Sequence, residues 1–82
     1  MDKPRAKILW ADDEIDLLTP HQIYLKEKGY EVTGVTNGAD AVEEIRNNQY
    51  DLVLLDEMMP GQDGLETLTQ IKEFSPGLPV IM

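Results

Sequence analysis

Cysteine is absent from the chain, so neither a disulfide framework nor thiolate chemistry is open to it. Basic residues are scarce: 7 against 16 acidic ones, a net charge of −9. Without a basic stripe, contact with nucleic acid by this segment is disfavoured, and so is binding to an anionic membrane surface. No apolar run approaches the roughly 18–20 residues of a membrane span. No signal-peptide pattern opens the chain either, because residues 1–7 are polar and the apolar stretch that follows is only three residues long. These absences point to a soluble, cytoplasmic protein whose charge suits a divalent cation or a basic partner. At 82 residues there is room for one domain at most. Such a domain buries about 60–65% of its unfolded surface and has little stability to spare. The 41% hydrophobic content argues against disorder.

Residues 1–6 read as a polar lead-in and 7–82 as the folding unit. The run at 7–11, stopped by Asp12 and Asp13, suits a buried strand. In 12–28, positions 17, 21, 24 and 28 share one helical face; the spacing predicts that Leu17, His21 and Tyr24 point inward, flanked by Leu18 and Leu25. Pro20 is expected to interrupt this helix and bend its first two turns, and Gly29 to end it in the left-handed conformation. Residues 30–35 read as a strand. Asn37 is placed to cap a helix over 39–47 with Ala41, Val42 and Ile45 inward. Leu52-Val53-Leu54-Leu55 is the most apolar run and fits a central strand covered on both faces. Asp63 is placed to cap a helix over 64–74 with Leu65, Leu68 and Ile71 inward, Pro76-Gly77 to turn, and 78–82 to begin a fourth strand. Strand–helix alternation of this kind means an α/β fold of parallel βαβ units with right-handed crossovers.

Acids stand where such a fold places its ligands, at the carboxyl ends of the strands. Asp12 and Asp13 follow the first strand and Asp56 follows the third. If those strands are neighbours, three carboxylates meet at one edge. Two carboxylates about 5 Å apart repel by about 3 kcal/mol at an effective dielectric near 20. No lysine or arginine lies nearby in sequence to offset this, so either a cation binds or one carboxyl is protonated. Oxygen-only ligands suit Mg²⁺ or Mn²⁺. Asp12 and Asp13 are consecutive and need not both reach one ion, so one is expected to bind through water. Asp56, single and at the tip of the buried strand, is the candidate nucleophile, since a carboxylate can form an acyl phosphate when a metal neutralises the incoming group. The Pro60-Gly61 turn is expected to leave backbone carbonyls facing the site. The plainer alternative is that each acid only ends a strand and caps a helix. That explains any one of them better than all three together. His21, the one histidine, reads as an ordinary helix residue, since no second His or Cys accompanies it.

Ile8-Leu9-Trp10-Ala11-Asp12-Asp13-Glu14 resembles the opening strand and acidic pair of response-regulator receiver domains. The segment from Leu52 through Asp56, Met58, Met59, Pro60 and Gly64 resembles their phosphoacceptor strand and loop. Asn37-Gly38 with Ala41 resembles the start of their second helix, and residues 78–82 their fourth strand. The resemblance implies a doubly wound, flavodoxin-like parallel sheet. It implies that Asp56 accepts a phosphoryl group from a sensor histidine kinase. It also implies that Asp13 and Asp56 bind Mg²⁺ by their carboxylates, that Asp12 acts largely through water, and that the Met58 carbonyl is a further ligand. It implies further that Glu57, Pro60 and Gly64 support the site as loop residues. The opening through Pro20-His21, with the Asp-Glu-x-Met-Pro-Gly loop, is similar to PorX-type regulators, whose output domain is alkaline-phosphatase-like.

A complete receiver has five strands and five helices. Residues 7–82 supply four strands and three helices, so the chain reads as a truncated receiver lacking the fourth and fifth helices and the fifth strand. The Thr or Ser after the fourth strand and the Lys of the fifth strand are then missing. Slow phosphorylation and self-association through strand 78–82 or by segment exchange are the expectations. A pseudo-receiver that never takes phosphate is the alternative, disfavoured because all three acids are present. A haloacid-dehalogenase-type phosphatase needs Asp-x-Asp, and here Met58 stands two residues after Asp56.

Overall fold

The computed structural model describes residues 5–59 and 63–82. Four parallel strands, β1 (Lys7–Ala11), β2 (Glu31–Val35), β3 (Leu52–Leu55) and β4 (Val80–Ile81), form one sheet in the order β2-β1-β3-β4. The helices α1 (Thr19–Glu27), α2 (Gly38–Asn47) and α3 (Gly64–Phe74) connect them. The order reverses between β1 and β3, so the parallel units that the alternation predicted form the doubly wound arrangement that the resemblance implied.

The two faces of the sheet are unequal. Side chains alternate along a strand. Leu9, Ala11, Val53 and Leu55 therefore point to one face, where they pack with Ala41, Val42 and Ile45 of α2 and Ile71 of α3 into a single core. Ile8, Trp10, Leu52 and Leu54 point to the other. There Ile8 is buried, but Trp10, Leu52 and Leu54 are only partly covered, and Ile81, in register with Leu54, is 56% exposed. β3 is thus closed on one face and partly open on the other, short of the expected full cover.

The segment between β1 and β2 departs most from expectation. Ile15–Leu18 forms a 3-10 turn, and the α-helix begins only at Thr19. Pro20 therefore sits in the first turn of α1, where its missing N–H breaks no helical bond, and it does not bend a longer helix. The inward residues are Ile15, Leu18, Gln22 and Leu25, rotated about one position from the predicted face. Leu17 and Tyr24 are 72% and 59% exposed, and His21 is exposed with its ring edge-on to Trp10 at 6.4 Å between centroids. The amide of Gln22 donates to the Ile15 carbonyl at 2.9 Å, which is why a polar residue occupies an inward position.

The ends of the other elements follow their residues. Gly29, at φ 95°, closes α1; its N–H donates to the Lys26 carbonyl and that of Tyr30 to the Leu25 carbonyl, the paired bonds of a Schellman end. Asn37 caps α2 by accepting from the Asp40 N–H at 2.8 Å. In α3, Gly64, Thr67 and Ile71 are buried while Leu65 is 67% exposed, so Thr67 holds the inward place expected of Leu65. Its hydroxyl donates to the Asp63 carbonyl at 2.9 Å, so burial leaves no orphan group. β4 is shorter than 78–82 because Leu78 is used in a turn, donating to the Ser75 carbonyl at 3.0 Å.

Candidate metal and phosphoacceptor site

β1 and β3 are hydrogen-bonded neighbours, and the ladder runs on into the acids. The Asp56 N–H donates to the Ala11 carbonyl at 2.9 Å, and the Asp12 N–H to the Val35 carbonyl at 3.0 Å. Asp12, Asp13 and Asp56 are thereby brought together: one carboxylate oxygen from each lies within 4.8 Å of the others. Asp12 and Asp56 are half-buried and Asp13 is exposed.

Each arm of the site is held by a tight turn. On the first, the Asp12 carboxylate accepts from the Glu14 N–H at 2.9 Å and its carbonyl from the Ile15 N–H at 3.0 Å. One oxygen of Asp12 is therefore committed to its own turn, while Asp13 carries no such constraint. Ile15 anchors that turn against β2, where a methyl group on Gly34 would come within 2.8 Å of its Cγ1. On the second arm, the Asp56 carboxylate accepts from the Met58 N–H at 3.2 Å. The Gly64 N–H donates to the Glu57 carbonyl at 2.9 Å, closing the loop onto the start of α3. Asp63 caps that helix, accepting from the Glu66 N–H at 2.8 Å. Glu57 and Met58 are exposed, Met58 by 78%, and Gly64 is buried. Pro60, expected to turn carbonyls toward the site, lies outside the described residues.

The donor set is chemically suited to a hard cation. Three carboxylate oxygens at this spacing, two of them half-buried, offer the oxygen-only coordination that Mg²⁺ takes, with room for water in the remaining positions. Sequence reasoning found these acids but missed how close α3 comes to Asp56. The glycine at 64 was the only signal of that approach.

A doubly wound parallel sheet with an acidic trio across the carboxyl ends of its central strands defines an α/β protein with its site at the topological switch point. Residues 8–82 match the response regulator receiver domain family, and the chain belongs to that family. Receiver domains take phosphoryl groups from sensor kinases in two-component systems and bind Mg²⁺ at their acidic pocket. The chain is 42% identical over all 82 residues to the transcriptional regulatory protein ZraR of Klebsiella oxytoca, covering 18% of that protein. It is 41% identical over 77 residues to the transcriptional regulatory protein ResD of Bacillus subtilis, covering 32% of it. The chain thus spans under a third of the length of these curated relatives. Among solved structures, the response regulator TrrA of Thermotoga maritima in complex with Mg²⁺ and BeF superposes with a TM-score of 0.85 at 36% identity, over 93% of this chain and 66% of that one. A CheY-like receiver domain of Methanospirillum hungatei gives 0.89 at 28% identity, over 99% and 63%.

Proposed function

We propose that Asp56 is the phosphoacceptor of this chain and that Mg²⁺ is held by Asp13 and Asp56 directly, by Asp12 largely through water, and by the Met58 carbonyl. The observation that carries this is the meeting of the three carboxylates within 4.8 Å at the ends of β1 and β3. The bond from the Glu14 N–H to Asp12 supports a water-mediated part for that residue, because it occupies one of its oxygens. A bound Mg²⁺ supplies charge neutralisation for the incoming phosphoryl group. The chain supplies the acceptor oxygen of Asp56 and the turn that aims it. The donor is a sensor histidine kinase, and the setting is cytoplasmic.

The output is a further proposal. The similarity to PorX-type regulators read in the opening residues and the Asp-Glu-x-Met-Pro-Gly loop would point to an alkaline-phosphatase-like output. The relatives found are transcriptional regulatory proteins, which favours a transcriptional output instead. Among the described residues no helix is long and apolar enough to cross a membrane.

The test is titration with Mg²⁺ and beryllofluoride, following backbone amide resonances. Amides at Asp12, Asp13, Asp56 and Met58 shift in the wild type, and the beryllofluoride-dependent part of the shift disappears in Asp56→Asn. An identical response in that variant would assign the acceptor elsewhere. No response to either ligand would leave an interaction module that takes no phosphate.

A further inference from the structure

We infer that Gly64 positions the phosphoacceptor arm: its lack of a side chain lets the first turn of α3 lie directly on the backbone of Asp56 and Glu57, and this contact fixes the arm for metal binding. The inference rests on the proposed function of the trio and assigns a part to a residue that touches neither metal nor phosphate. A methyl group at position 64 would stand 2.7 Å from the Asp56 carbonyl oxygen, 2.8 Å from Glu57 Cα and 2.9 Å from Met82 Cε. The first two are backbone atoms with no freedom to turn aside. The third is the end of a flexible side chain.

Backbone conformation is not the reason for glycine here, because among the described residues Gly29 alone among the glycines has a positive φ, and Gly64 does not. Helix propensity would even favour alanine at position 64. What demands glycine is space, and the space lies under the acceptor. The Asp56 amide is fixed to Ala11 in the β1–β3 ladder, so pressure on its carbonyl is passed forward into the Asp56–Met58 turn. Mg²⁺ accepts little distortion of its near-octahedral shell. A displacement of a few tenths of an ångström in this turn therefore weakens metal binding out of proportion to any loss of fold.

Gly34 and Gly77 provide comparisons. A methyl at Gly34 meets only the side chain of Ile15 within 3.4 Å, and one at Gly77 meets nothing within 4 Å. The experiment is Mg²⁺ titration of wild type, Gly64→Ala and Gly77→Ala, following the Asp12 and Asp13 amides, with melting temperatures measured in metal-free buffer. Gly64→Ala is expected to weaken Mg²⁺ binding at least ten-fold while the folded protein persists, and Gly77→Ala to match wild type. A purely structural role for Gly64 would lower its melting temperature and leave the affinity of the folded molecules unchanged, which would overturn the inference. If Gly64→Ala does not fold, Gly64→Ala with Met82→Ala removes the side-chain clash and keeps both backbone clashes. That double variant should still bind Mg²⁺ at least ten-fold more weakly, and wild-type affinity in it would overturn the inference. Absence of Mg²⁺ binding by the wild type would overturn the metal reading, and this inference with it. Wild-type binding matched by Gly64→Ala would overturn the inference alone.

Discussion

The sheet has one closed face and one open one, built from the same four strands. Leu9 and Val53 on the closed side are wholly buried under α2 and α3, where Ile71 of α3, itself wholly buried, packs into the same core. Trp10, Leu52 and Leu54 on the other side are partly covered, and Ile81 is more than half exposed. α1 crosses that side above β1 and β2, leaving an apolar groove of about 310 Å³ lined by Trp10, Pro20, His21, Tyr24 and Leu25. Residues of equal hydrophobicity thus contribute unequally, and the difference lies in which helix stands over them.

The largest expected effect tests this directly. Ile71→Ala removes a fully buried side chain from the closed face and should cost about 3–4 kcal/mol. That is a large part of the stability of a domain this small. Leu54→Ala on the open face should cost only about 1–1.5 kcal/mol, because less of the side chain leaves water on folding. Urea unfolding of the two variants measures the contrast. Should Ile71→Ala fail to fold, Ile71→Val is expected to cost about 1 kcal/mol. Equal costs for Ile71→Ala and Leu54→Ala would mean that the open face is covered in solution.

The same inequality explains how far the sequence could be read. Strand positions were legible because each apolar run is short and ends in an acid or a turn residue, and the meeting of Asp12, Asp13 and Asp56 follows once β1 and β3 are neighbours. The caps at Asn37 and Asp63 were legible because the chemistry of a cap is local. The inward face of α1 was not. On a helix beside a half-covered sheet, Leu17 and Tyr24 can remain in solvent while Gln22 turns inward to bond the Ile15 carbonyl. Hydrophobicity ranks those residues in the opposite order. Thr67 was missed for the same reason: its burial depends on a hydroxyl partner that no periodicity announces. The contact of Gly64 with Asp56 lies between elements and has no local signature beyond the glycine itself.

A middle-sized effect separates the two arms of the acidic edge. Asp12→Asn keeps the oxygen that accepts from the Glu14 N–H and removes one negative charge from the trio. In metal-free buffer this should raise the melting temperature by a few degrees, since about 1 kcal/mol corresponds to about 4–8 °C in a domain of this size. Adding Mg²⁺ should raise the melting temperature of the wild type more than that of the variant. An unchanged or lower melting temperature in Asp12→Asn would mean that repulsion within the trio is already relieved by solvent.

The smallest effect concerns what the open face does at high protein concentration. β4 pairs with β3 on one side, and among the described residues no strand pairs with its other side, beside the exposed Ile81. An apolar sheet edge of this kind is a template for pairing with a second chain. Pro79 lacks an N–H and blunts it in part. Charge opposes the association, because each chain carries −9 and two chains repel. Repulsion is screened by salt, with a range that falls from about 30 Å at 0.01 M to about 8 Å at 0.15 M, whereas apolar contact is not weakened. The average mass by light scattering should therefore rise with protein concentration, and rise more at the higher salt. Ile81→Lys places a charge on the edge and should return the mass to that of one chain. Association that instead weakens with salt would assign it to ion pairs, and a monomeric mass under all these conditions would show that the edge is too short to pair.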